Sequence, residues 1–296
     1  METLQTLTRR INTTGKLKSI VKSMKTLSAV NIRQYEKAVT ALEIFEQTIF
    51  MGLQVCLTDY NQPLSSRPSL SRDRILVAFG SDQGLCGQFN EKLARFIGSR
   101  TSQWQTKTHT IVVGARLYAR LESMGITPCA LFWTPGSVGG INHTVFQILL
   151  KMETLQTENS ISHVDFCYSR HEPGTAEAPV CQALIPLDHG ELARIAKQPW
   201  DGPSLAEFSI PAEQLFSSLI RQYFFVALFR AQAHAMASEQ SSRLRSLQNA
   251  EKNIEEHQAG LQALFRSKRQ ASITAEMLDL VTGFKTIQRK KQSKSE

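Results

Sequence analysis

Proline is missing from both ends of the chain: all ten prolines fall between Pro63 and Pro211. Because proline removes a backbone donor and clashes with the preceding turn, residues 1–62 and 212–296 are left open to uninterrupted helix. Glycine is also scarce in the second arm, where only Gly260 and Gly283 occur. Cysteine is thinly spread. The five, Cys56, Cys86, Cys129, Cys167 and Cys181, include no CxxC pair and no nearby histidine at ligand spacing, which favours reduced buried thiols over disulfide or metal roles. No apolar run approaches the roughly 18 residues of a membrane span, and the start lacks the order of a signal peptide, so a soluble or peripheral chain is expected. Motifs for chemistry are missing too. No Ser/His/Asp order, HExxH or paired carboxylates stand out, and His143, His163, His171, His189 and His234 have no convincing partner in sequence. The expectation is no catalytic residue, no cofactor-binding residue and no metal ligand.

What is present is helix. The second arm is rich in Ala, Gln, Leu, Arg, Lys and Glu, and as one helix it would span about 125 Å. Its apolar residues recur at helical spacing: Leu215, Leu219, Tyr223 and Val226, then Leu244, Leu247, Ile254, Leu261, Leu264 and Phe265, then Ile273, Met277, Leu280, Val281, Phe284 and Ile287. That is a stripe, most of which a partner helix must meet. The first arm carries its own blocks, Leu4 to Ile11, Leu17 to Leu27 and Ile32 to Ile49, shifted in phase near Thr13–Gly15 and again near Asn31. A stutter of this kind unwinds a coiled coil locally without ending it, and the obvious partner is the other arm.

Charge is loaded at the ends. The first 40 residues hold eight Lys/Arg against Glu2 and Glu36, and the last 31 hold eight against Glu276, Asp279 and Glu296, in a chain of net charge only +8. A partner presenting acidic groups to both ends together is implied. Arg9, Arg10, Lys16, Lys18, Lys22 and Lys25 form a basic collar with no acidic residue among them. A merely solvated helix would include i,i+4 partners. Aromatics for stacking bases are missing there, which disfavours single-stranded nucleic acid.

The proline-punctuated middle alternates short β-branched runs with helical stretches. Strands are expected at 74–80, 109–114, 126–133, 163–169 and 180–186, and helices at 88–97, 115–124 and 142–155. This pattern predicts a small, mostly parallel sheet with helices on its faces, its last two strands antiparallel. GSDQGLCG after the first strand matches neither a dinucleotide fingerprint nor a phosphate loop, so a tight strand-to-helix turn explains it better. Gly136, Gly139 and Gly140 suggest a loop.

Three blocks carry a family resemblance. RRINTTGKLKSIVKSMKTLSAVNIR from Arg9, SDQGLCGQFN from Ser81, and ASEQSSRLRSLQNAEKNI from Ala237 with RQASITAEMLDLVTG from Arg269 together resemble the γ subunit family of rotary F-type ATP synthases. The resemblance implies an α+β fold: a long antiparallel coiled coil of N- and C-terminal helices plus a central α/β, Rossmann-like domain. It implies the domain order 1–62 helix, 63–72 linker, 73–190 central domain, 191–211 linker and 212–296 helix. It implies a non-catalytic central-stalk rotor, which couples ion flow through the membrane c-ring to conformational change at the catalytic β subunits.

The implied partners are the hexamer of α and β subunits, the ε subunit and the c-ring, with no nucleic acid, no cofactor and no small-molecule substrate. The implied place is the cytoplasmic face of a bacterial inner membrane, as a peripheral subunit. Met24 and Arg243 fall on family shaft positions, and the resemblance implies that they, with Arg269, Gln270, Thr274 and Glu276, are the coupling contacts to β. The basic collar would face acidic β loops. Departures at Gln88, Arg245–Leu247, Phe265–Arg266 and Thr282–Phe284 suggest a divergent branch, and no regulatory paired-cysteine insert is visible. The competing readings are a nucleic-acid-binding coiled coil, resting on pI and end-loaded charge, and a nicotinamide-dependent enzyme, which would lack its fingerprint glycines and acidic residue.

Overall fold

The computed structural model describes residues 3–59, 73–104, 106–172, 177–186 and 207–292, with 58–59 and 286–292 as backbone alone. The expected linker at 63–72, residues 191–206 of the second linker, His189, and residues 187–190 and 293–296 lie outside the described residues. The described elements run α1 (Leu4–Asp59), β1 (Asp73–Phe79), α2 (Phe89–Thr101), β2 (Thr108–Val113), α3 (Ala115–Ser123), β3 (Ala130–Phe132), α4 (Val138–Glu158), β4 (Ile161–Arg170), β5 (Ala178–Ile185) and α5 (Ala212–Gln292). Among the described residues no helix is long and apolar enough to cross a membrane. The chain gathers into two compact units, Met1–Leu27 with Arg245–Glu296, and Ser28–Leu244.

The unit Ser28–Leu244 holds a five-stranded sheet of order β3-β2-β1-β4-β5. Strands β3, β2, β1 and β4 run parallel to one another, and β5 closes the edge antiparallel to β4. The central strand β1 is apolar on both faces, as a strand covered on both sides must be. Ile75, Val77 and Phe79 point to one face with Ile111, Val113, Val164, Phe166 and Tyr168, against Ile141, Val145 and Ile148 of α4 and the alanine-rich stretch of α5 from Ala227 to Ala237. Leu76 and Ala78 point to the other with Val112 and Cys167, against Leu93 and Ile97 of α2 and Leu117 and Leu121 of α3. Alanines at 227, 231, 233, 235 and 237 are all buried, and their small side chains let this long helix lie close on the sheet.

Within the same unit α1 and α5 run antiparallel. Glu46 accepts from Arg230 at 2.5 Å, the Cys56 thiol donates to the Ala212 carbonyl at 3.2 Å, and Ile49 and Leu53 bury Val226 between them. The end of β4 is tied to α1 by His171 Nε2 and Glu36 at 2.9 Å. One sequence expectation needs correction: Gly139 and Gly140 lie in the first turn of α4, which begins at Val138, four residues before the expected start. Glycine permits helix there because a β-carbon at 140 would stand 3.1 Å from that of Pro135.

In the unit Met1–Leu27 with Arg245–Glu296 the same antiparallel sense holds. Lys18 meets Glu255 at 3.0 Å and Lys25 meets Glu251 at 2.5 Å. The helix passes through the phase shift at residues 13–15 intact, with the Thr13 and Thr14 hydroxyls donating to the Arg9 and Arg10 carbonyls one turn back. Leu7, Leu247 and Leu261 are buried. The register set by Lys18 and Glu255 carries Leu4 to the level of Arg269, so α5 runs on beyond the start of α1.

Candidate functional site

Two of the sequence blocks meet in the unit Ser28–Leu244. The segment SDQGLCGQFN leaves β1 at Gly80, which only glycine can fill: a β-carbon there would stand 2.3 Å from that of Leu117. Gly114, facing it at the end of β2, has φ +106° and leaves no room for a side chain beside Ser81. Asn90 closes the turn, accepting from the Ser81 amide at 3.1 Å and donating to its hydroxyl at 2.8 Å. Asp82 accepts from the Ala115 amide at the start of α3 at 2.7 Å, and from the amide and hydroxyl of Thr134 at 2.7 and 2.6 Å. Its carboxylate therefore pins the ends of β1, β2 and β3 together. The Ser81, Asp82 and Asn90 side chains of the turn are thus committed to the fold.

The tip of the turn docks on α5. Arg243 donates from Nε and Nη2 to the Gly84 carbonyl, both at 3.3 Å, and Ser242 donates to the Cys86 carbonyl at 2.9 Å. Arg243 is 3% exposed and also binds Glu239, one turn earlier on the helix, at 2.5 Å. Burial pushes the Glu239 carboxyl above its ordinary range, and Arg243 works against that shift. The same cluster raises Tyr35 on α1, through burial first and then the Glu239 charge. A buried ion pair with a fixed carbonyl partner is a rigid joint, and removing one member strands the other in a dry site.

The other unit has a different chemistry. Arg9, Arg10, Lys16 and Lys22 are exposed along α1, while Lys18 and Lys25 turn toward Glu255 and Glu251 of α5. Glu251 is held below the ordinary carboxylate range, first by the Lys25 hydrogen bond. Past the level of Leu4, α5 presents Ile273, Met277, Leu278, Leu280, Val281 and Phe284 to solvent, Met277 at 67% and Phe284 at 72% exposure. Leu17, Ile20 and Leu27 of α1 are exposed as well. Exposed apolar residues gathered along one helix end are a candidate contact surface.

The sequence-derived residues therefore fall into three environments. Arg269, Gln270, Thr274 and Glu276 are exposed on α5, the Thr274 hydroxyl donating to the Gln270 carbonyl at 2.9 Å. Met24 is half-buried, and Arg243 is enclosed by partners of its own chain. Glu239, Ser242, Gly84 and Cys86 were missed, although the four-residue spacing of Glu239 and Arg243 was a signal for a helical pair. Glu251 and Glu255 were missed because the acids that answer the collar sit more than 200 residues away on the other arm.

Comparison with known proteins places these features. A family model described as ATP synthase matches residues 3–287. The ATP synthase gamma chain of Acaryochloris marina is 25% identical, the match covering 97% of this chain and 100% of that one. That of Dechloromonas aromatica is 24% identical over 93% of this chain and 96% of its own. Among solved structures, a chain of the Euglena gracilis mitochondrial ATP synthase (OSCP, F1 and c-ring) shares the fold with a TM-score of 0.64 at 15% identity, covering 96% of this chain and 94% of that one. A chain of the Tetrahymena thermophila mitochondrial ATP synthase central stalk and c-ring gives 0.54 at 16% identity, covering 78% and 99%.

Proposed function

The chain belongs to the ATP synthase family, and from that premise we propose that it is the γ subunit, the central-stalk rotor, of an F-type ATP synthase. Its terminal helices wind into a coiled-coil shaft, and the paired helices of Met1–Leu27 with Arg245–Glu296 turn inside the hexamer of α and β subunits. The sheet-bearing unit meets the ε subunit and the membrane c-ring. The subunit does no bond chemistry itself and couples ion flow in the ring to the state of the catalytic β subunits. It sits as a peripheral subunit on the cytoplasmic face of a bacterial inner membrane, with the domain order helix 1–62, linker 63–72, central domain 73–190, linker 191–211 and helix 212–296.

The observation that carries this proposal is the bare end of α5. Six large apolar residues between Ile273 and Phe284 face solvent where α1 no longer runs beside them. Interleaved with Arg269, Gln270, Thr274 and Glu276, they suit an apolar sleeve with polar contacts along it. Surface ion pairs are weak singly, and weak contacts suit a bearing that must slide. Arg9, Arg10, Lys16 and Lys22, exposed on α1, supply such contacts to acidic β loops, as Lys18 and Lys25 do beyond their own acids, while Met24 packs in the shaft and Arg243 transmits torque as the buried joint to the sheet. Co-expression of the full chain with α and β subunits, with a relative's γ subunit as positive control, tests the assignment. A stoichiometric complex with ATPase activity is expected. Recovery of the chain alone, under conditions where the control assembles, overturns it.

A further inference from the structure

Cys167 on β4 and Cys181 on β5 are direct cross-strand partners in the antiparallel register. Residues opposed in this way project to one face of the sheet, with α-carbons about 4.5–5.5 Å apart. That lies within the 4.4–6.8 Å or so that a disulfide spans without backbone movement. The two thiols hydrogen-bond each other, and both are reduced. Cys167 is fully buried against the α2 and α3 side of the sheet, while Cys181 is half-buried on β5, the edge strand. We propose that Cys167 and Cys181 are a reversible dithiol–disulfide couple that exchanges with low-molecular-weight disulfides and, when oxidised, staples the edge strand to the sheet.

The surroundings assign the order of attack. The Cys167 hydrogen bond holds the Cys181 thiol below its ordinary range, burial and Asp165 oppose this, and Arg100 and Arg74 reinforce it. Cys167 is pushed the other way by the same hydrogen bond and by burial. The more accessible, more acidic thiol is the one that meets the oxidant. The Cys181 thiolate attacks one sulfur of the small disulfide, breaking its S–S bond and releasing one thiolate, which takes up a proton. Cys167 then gives its proton to solvent, and its sulfur attacks Cys181 Sγ in the mixed disulfide, expelling the second thiol. Two protein thiols are oxidised and one small disulfide is reduced to two thiols. Neither Cys56, Cys86 nor Cys129 has a cysteine across a strand from it.

The test equilibrates the full native chain with glutathione buffers of increasing oxidised fraction, quenches with an alkylating reagent, and counts thiols after denaturation. The titre is expected to fall from five to three, with a peptide containing Cys167 cross-linked to one containing Cys181. Cys167→Ser is expected to leave Cys181 carrying glutathione as a stable mixed disulfide. Phenylarsine oxide, which bridges two close thiols with loss of water, is expected to add to the native wild-type chain and to neither Cys167→Ser nor Cys181→Ser. A titre that stays at five, a disulfide formed by a different pair, or wild-type Cys181 retaining glutathione beside a free Cys167 overturns the proposal.

Discussion

The unit Ser28–Leu244 and the unit Met1–Leu27 with Arg245–Glu296 solve the same problem, holding α1 against α5, with opposite chemistry. The first joins the helices through Arg230 of α5 and a nearly buried Glu46 of α1, and buries a second pair, Arg243 with Glu239 on α5 itself, against the Gly84 carbonyl of the turn after β1. The second uses partly exposed lysine–glutamate pairs and leaves large apolar residues facing water. The difference separates a buried, rigid joint from a partly exposed, weakly paired surface, which is what the proposed rotor would need of a bearing. A joint that must not slip gains from contacts that are costly to break, and a surface that must move past its neighbours gains from contacts that are not.

Breaking the joint has the largest expected effect. Arg243→Ala leaves Glu239 buried without its cation, and chemical denaturation should show a loss of about 3–5 kcal/mol. The double change to Glu239→Leu and Arg243→Leu should recover most of it, since neither charge then remains in the dry site. Next comes acid. His234 stacks on Tyr168 in the same unit, and burial, helped by Arg230 and Arg170, lowers its pKa from 6.5 to about 4. The unfolded chain binds the proton more readily, so this contribution is complete above pH 6.5 and is lost as pH falls toward 4. The loss is at most about 3 kcal/mol. A pH series of melting curves should flatten in that window for His234→Phe.

Asp82→Ala removes three hydrogen bonds that tie β1, α3 and Thr134, and should cost about 2 kcal/mol by denaturation. In the unit Met1–Leu27 with Arg245–Glu296 the same kind of experiment should show little. Lys18→Ala should shift stability by less than about 1 kcal/mol. A loss as large as that of Arg243→Ala would erase the contrast between the two units.

Much of this was legible in the sequence because it is periodic. The apolar run at 74–80, set among alternating strand and helix segments, named a strand of a sheet with helices on its faces, and freedom from proline named the arms. The antiparallel end of the sheet was likewise predicted from turn residues and is seen in β4 and β5. What was not legible depends on contacts between distant segments. Ser242 and Arg243 meeting the carbonyls of Cys86 and Gly84, the glutamates that answer Lys18 and Lys25, and Cys167 opposite Cys181 all follow from register. Gly139 and Gly140 misled because glycine ordinarily signals a loop, whereas here it admits a close approach to Pro135.

The bare end of α5 supplies the most direct test of the rotor assignment, through methionine oxidation by a small peroxide. Met277 is 67% exposed and Met152 is 3% exposed in the chain by itself. In the free chain Met277 should oxidise readily and Met152 hardly at all. On assembly with α and β subunits Met277 should become protected while Met152 stays unchanged. Equal oxidation of Met277 in the free and assembled chain would contradict a helix end enclosed by a sleeve of partners.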